Sequence, residues 1–152
     1  MNESEKSILK NIEEYGCHIN SVFDNEGNDP DFTYTIGIEK SQNQPELIVF
    51  GLRKELGAWI ANEYNRKLRE GLIIDTKNYY SGFIEGFDVC FKSVGKKCKE
   101  DYMLSCDWLY AGQDFEAIQL VYPTVNGVWP WEIEASVSFK SFQPSMQEPA
   151  TW

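Results

Sequence analysis

Glu46 and His18 are the side chains of this chain whose types and placement could move a proton. Glu46 stands between Pro45 and the apolar run Leu47-Ile48-Val49-Phe50. A carboxylate at the mouth of a buried strand loses solvation, so its pKa rises and it can serve as acid or base near neutrality. The structural alternative is that it accepts hydrogen bonds from a neighbouring turn or pairs with Arg53. His18 is the only histidine. Imidazole titrates near neutral pH, but a strand position equally suits a packed or surface residue, and one histidine cannot build a His-rich metal site. Cys90 or Cys106 could join it as a nucleophile, whereas Cys17 is adjacent in sequence and points to the opposite strand face. The four cysteines make no CxxC pair, so neither a zinc ribbon nor a disulfide scaffold has support. They read as small apolar residues, and no metal is expected.

A second group has the chemistry of recognition. Trp129-Pro130-Trp131-Glu132 sets two indoles and an acid around a proline. Such aromatic groups serve a core edge, a protein interface or a small-molecule pocket. Tyr34, Thr35 and Gln119 could line one cleft with Glu46. Signatures of nucleotide, hydrolase and zincin chemistry (GxGxxG, GxxxxGK[ST], GxSxG, HExxH) are absent, so no cofactor is implied. The acid pairs Glu13-Glu14 and Glu100-Asp101 are sequence neighbours and read as solvated helix faces.

These residues need a scaffold, and hydrophobic periodicity supplies an outline. Ile8, Leu9, Ile12 and Tyr15 recur at helical spacing ahead of Gly16, which predicts a helix over Ser4 to Tyr15. Cys17 to Phe23 alternates as a strand and is followed by the turn-rich DNEGNDPD. Phe32 to Leu52 reads as a hairpin, with Ser41 to Pro45 as its tight connection. Leu52, Leu56, Trp59, Ile60, Tyr64 and Leu68 share one helix stripe that ends at Gly71. Ser81 to Val94 predicts one strand or two, Tyr102 to Tyr110 a third helix, Phe115 to Tyr122 a strand, and Trp129 to Phe139 a last strand. The expected class is α+β: one domain over residues 1–144, with a mainly antiparallel sheet and about three helices packed on it. Residues 145–152 are expected as a tail that runs along the surface or frays.

At 152 residues and a net charge of −10, the chain can bury a core of its own and disfavours direct contact with nucleic acid or an anionic membrane. The acid concentrates in the first 31 residues and reads as a solubilising surface or a docking patch for a basic protein. The polar start MNESEKSILK lacks a signal-peptide pattern, and with no apolar run of membrane-spanning length the expected location is the cytosol. Exposed aromatics could support a homodimer.

Three residue groups then stand in series: Tyr34-Thr35-Ile36-Gly37-Ile38; Pro45-Glu46-Leu47 with Gly51 and Leu52; and Gln119-Leu120-Val121 with Pro123, Gly127, Pro130, Trp131 and Gln143-Pro144. In that order the chain resembles the bacterial and phage family called domain of unknown function 4262, from about Tyr15 to Pro144. The resemblance implies no catalytic residue, and Cys17-His18 departs from the pattern after the glycine, where an aromatic residue is expected. The leading expectation is a non-catalytic binding protein that holds a protein or small ligand, such as a toxin- or defence-neutralising accessory. The alternatives are a small-molecule-processing enzyme with Glu46 or His18 as base, and an acidic nucleic-acid mimic.

Overall fold

In a computed structural model that describes residues 1–152, the chain forms an α+β fold around one six-stranded sheet. Its elements are α1 (Glu3–Tyr15), β1 (His18–Val22), β2 (Phe32–Ile36), α2 (Ile38–Gln42), β3 (Glu46–Phe50) and α3 (Lys54–Arg69). There follow β4 (Tyr79–Ile84), β5 (Phe87–Ser93), α4 (Lys96–Tyr102), α5 (Leu104–Leu109), β6 (Ala117–Val121) and α6 (Val137–Phe142). The strand order is β1-β2-β3-β6-β5-β4. Two antiparallel meanders, β1-β2-β3 and β4-β5-β6, therefore meet edge to edge. The seam between them is the one parallel pair, with Glu46 opposite Ala117 and Ile48 opposite Gln119.

Because both faces of the sheet are covered, the strands at the seam are buried on both sides, and Leu47 to Phe50 of β3 reads as a continuous apolar run while β6 is interrupted only by Gln119. On one face Leu47 and Val49 pack with Ile60, Tyr64 and Leu68 of α3 and with Phe91 and Leu120. On the other, Ile48 and Phe50 pack with Tyr34, Ile36, Met103 and Cys106. The α3 helix approaches β2 so closely that a Cβ on Gly57 would lie 2.4 Å from Thr33 Oγ1. Only glycine fits at that crossing.

Several sequence expectations need correction. The sheet is mostly antiparallel as expected, but the β3–β6 pair makes it mixed, and the fold has six helices rather than about three. The supposed tight turn Ser41 to Pro45 begins inside α2, a single helical turn too short to show a period. The third helix is two, α4 and α5, broken where Met103 leaves helical geometry (φ −99°, ψ 56°). The expected last strand Trp129 to Phe139 is not a strand. Its β-branched and aromatic composition is overridden by Pro130 and by Ser136, whose side chain accepts the Phe139 N–H and starts α6. The chain end holds no helix or strand, yet Ser145 and Met146 are buried, and Met146 joins the second core.

Candidate functional site

Glu46 opens β3 and is fully buried. Its carboxylate accepts Thr35 Oγ1–H at 2.8 Å and the backbone N–H groups of Gly37, Ile38 and Glu39 at 2.9, 3.0 and 3.3 Å. The Tyr110 hydroxyl donates a fifth, short bond. The three N–H groups open α2, where no residue of the preceding turn caps them, so a strand residue caps the helix from outside. Gly37 makes the approach possible. It has φ 110°, and a Cβ there would lie 2.6 Å from Ile12 Cγ1. Thr35 Oγ1 also accepts the Leu47 N–H at 2.9 Å, which ties β2 to β3 where their regular pairing ends. Burial raises the Glu46 pKa, against the pull of Tyr110, Thr35 and the two backbone donors at Gly37 and Ile38. Arg53 takes no part in this cluster.

Gln119 is equally committed. Its side-chain amide donates to Pro144 O at 2.8 Å and accepts Met146 N–H at 3.0 Å. Gln143 pairs in the same manner with both backbone groups of Tyr122, at 3.0 and 2.9 Å. Two buried amides thus dock the chain end on β6 as a strand would. His18 is half-buried, its Nδ1 lies 2.8 Å from Asn11 Nδ2, and burial lowers its pKa. Its ring makes no hydrogen bond with Glu46 or a cysteine. Burial pushes the Cys17 thiol up to about 12 and Cys90 to about 11, and also raises Cys98 and Cys106. Thiols held protonated in this way are poor nucleophiles. The Cys106 thiol instead donates to Thr35 O at 3.1 Å.

Trp129 and Trp131 stack on each other with centroids 5.2 Å apart and planes 7° apart. Tyr79 packs against Trp129, Trp152 packs against Trp131, and Lys92 Nζ lies 4.9 Å from the Trp131 ring. The indoles fill their own slot, so no planar ligand fits between them.

Tyr34 lies elsewhere. Of four surface clefts of about 430–670 Å³, none includes Glu46, Thr35, Gln119, His18, Trp129 or Trp131, and only the one of about 430 Å³ includes Tyr34. The sequence-predicted binding residues are therefore not gathered into one cleft. This cleft lies between the β1–β2 hairpin and the α4–α5 corner. Asn20, Tyr34 and Ser105 form its floor, Phe32, Tyr102 and Leu104 its walls, and Asp24, Asp29 and Asp101 its rim. Phe32 meets the edge of Tyr102 at 5.4 Å. The Tyr34 hydroxyl accepts Asn20 Nδ2–H and the Ser105 N–H, both at 3.1 Å. Apart from Tyr34, none of these residues was singled out for this cleft in the sequence; the acidic loop read as a turn within an acidic surface, Asp101 as part of a solvated helix face, and Ser105 carried no signal.

No group of three His, Cys, Asp or Glu side chains is placed to hold a metal ion, and no helix is long and apolar enough to cross a membrane. Sheet, covered faces and internally bonded polar groups define an α+β domain whose distinctive residues brace the architecture. The chain belongs to the family described as Domain of unknown function (DUF4262), whose model matches residues 11–136. No curated protein and no solved structure matches it.

Proposed function

We propose that this chain is a binding domain without chemistry of its own, and that it seats its ligand in the Tyr34 cleft. One contrast carries the reading. Glu46, Gln119, Gln143 and Cys106 all have their hydrogen bonds met inside the protein, whereas in the cleft, beside Tyr34, the Ser105 hydroxyl and one end of the Asn20 amide make none. A general base needs a lone pair aimed at substrate. The Glu46 oxygens face five protein donors in a site with no cleft beside it. A ligand seat needs apolar walls and a few convergent polar groups, and this cleft has both.

Native mass spectrometry of the protein recovered from the cells that make it tests the proposal. The expected result is a retained small mass that is lost in Ser105→Trp, a change that fills the floor. Two results would overturn the reading: a mass that survives this substitution, or metabolite turnover that stops with Glu46→Gln and persists in Ser105→Trp.

A further inference from the structure

We infer that the free edge of β1 takes up an extended, cationic segment of a partner protein, which adds to the sheet as a further strand beside Ile19 and Ser21. A partner at this edge is additional to the ligand of the Tyr34 cleft and does not depend on it.

Strand parity fixes which backbone groups are open. Asp31 O accepts the Gly51 N–H at 2.8 Å. In the β2–β3 pair, Asp31 and Thr33 therefore turn their backbone groups toward β3, while Phe32, Tyr34 and Ile36 turn theirs toward β1. The residues opposite these three on β1 are Val22, Asn20 and His18. Ile19 and Ser21 are left pointing N–H and C=O out of the sheet, where β1 is the last strand and no loop backbone reaches them.

The two outer strands of the sheet differ as templates. At the far edge, β4 breaks register between Tyr80 and Ile84, with Gly82 at φ 88°. A bulge of this kind spoils an edge for pairing. By contrast β1 has no bulge, no proline and no Lys, Arg, Asp or Glu, and it pairs in register over all 5 residues. A regular edge with open groups is the surface that an extended chain completes through main-chain hydrogen bonds.

Charge selects the kind of chain. The strand runs into residues 24–31, which hold Asp24, Glu26, Asp29 and Asp31 and no base. Glu13 and Glu14 are exposed at the end of α1, which leads into the strand. Arg69, whose guanidinium lies over Gly16, offsets part of the acid there, so the loop end carries the stronger field. Tyr15 and Phe23 bracket the strand in sequence and are 58 % and 59 % exposed, and their rings can receive a Lys or Arg. The same charges disfavour a second copy. Antiparallel pairing of β1 with itself would set the acidic loop of each chain against the α1 end of the other, where Glu13 and Glu14 stand.

The test is an NMR titration of the isotopically labelled full chain with the capped peptide Lys-Thr-Val-Thr-Val-Thr-Lys. The expected result is slower amide exchange at Ile19 and Ser21, with the inward amides of Asn20 and Val22 unchanged. A copy with glutamate at both ends should bind about tenfold more weakly at low salt. A copy N-methylated on every internal residue cannot build a ladder and should also lose about tenfold. On the protein, Ser21→Pro removes an outward N–H together with the 3.4 Å side-chain contact to Thr33, and leaves the ladder with β2 intact. It should weaken the lysine peptide by about tenfold. Equal binding of the glutamate copy would overturn the cationic class, and equal binding of the methylated copy would overturn the ladder. Protection at Tyr79 and Ser81 in place of Ile19 and Ser21 would mean that the other edge is the receptive one. Protection of Ile19 and Ser21 that rises with protein concentration alone would make a second copy the occupant. If the lysine peptide leaves both amides unchanged at millimolar concentration, this edge is not a docking site.

Discussion

Tyr34 and Thr35 are neighbours on β2, and they belong to opposite kinds of polar site. Thr35 donates to Glu46 and accepts from Leu47, so its hydroxyl is complete within the fold. Tyr34 lines a cleft, where its hydroxyl is bonded to Asn20 and to the Ser105 N–H and the Ser105 hydroxyl beside it makes no bond. The Glu46 cluster is deep and saturated, and it joins β2, α2, β3 and the end of α5. The Tyr34 cleft is shallow, acid-rimmed and unsaturated. A buried polar side chain is therefore a poor guide to function until its hydrogen bonds have been counted.

The largest expected break in this comparison is Glu46→Ala. It strands three backbone N–H groups, a threonine and a tyrosine, and should lower stability by about 3–5 kcal/mol in urea denaturation while leaving any cleft ligand's chemistry untouched. A loss under about 1 kcal/mol would show that the cluster does not hold the fold. Gln119→Leu should come next, at about 1–3 kcal/mol, because Met146 N–H and Pro144 O lose their partner. Its measure is the same titration, together with faster amide exchange over residues 143–147. If exchange there is unchanged, the amide is not what docks the chain end.

A pH series sharpens the comparison further. Burial raises the folded Glu46 pKa above its ordinary 4.5, so above that pH the native state binds the proton more tightly than the unfolded chain. By linkage this group's contribution is full below 4.5 and is lost as pH rises through the raised value. Gln at this position cannot titrate. The stability difference between the native chain and Glu46→Gln should therefore shift against the native chain as pH climbs through that window. A constant difference would mean that the five donors keep the carboxylate ionised throughout. The smallest effect is expected at the cleft rim. Asp29→Asn with Asp101→Asn should change stability by less than about 0.5 kcal/mol, because both side chains are exposed. A larger loss would make the rim part of the architecture and erase the contrast.

Periodicity reveals what is long and one-sided. The α3 stripe and the apolar run of β3 are plain in the sequence because each is repeated by many residues facing one core. A single turn such as α2 has no period, and its cap lies across a loop, at Glu46. The one local signal for α6 is its Ser136 cap, outweighed by Val137, Phe139 and Phe142, which favour strands when read alone. At the sites, residue type singles out Glu46, Gln119 and Tyr34 but not their saturation, which depends on partners as distant in sequence as Tyr110 and Met146. Cleft residues Asn20, Asp29, Asp101 and Ser105 carry no mutual spacing signal at all. Only the pairing of β1 with β2 and the corner between α4 and α5 bring them together.

The seam between the two meanders sets a schedule for the nascent chain. β3 is complete at Phe50, but its parallel partner begins only at Ala117. While the ribosome makes the residues between, the first meander stands with an apolar edge that has no neighbour. The α3 helix can shield one face of that edge during the wait, but the α4–α5 corner that shields the other emerges only just before β6. This interval is when the chain is most open to pairing with another copy of itself, and when a chaperone would meet it.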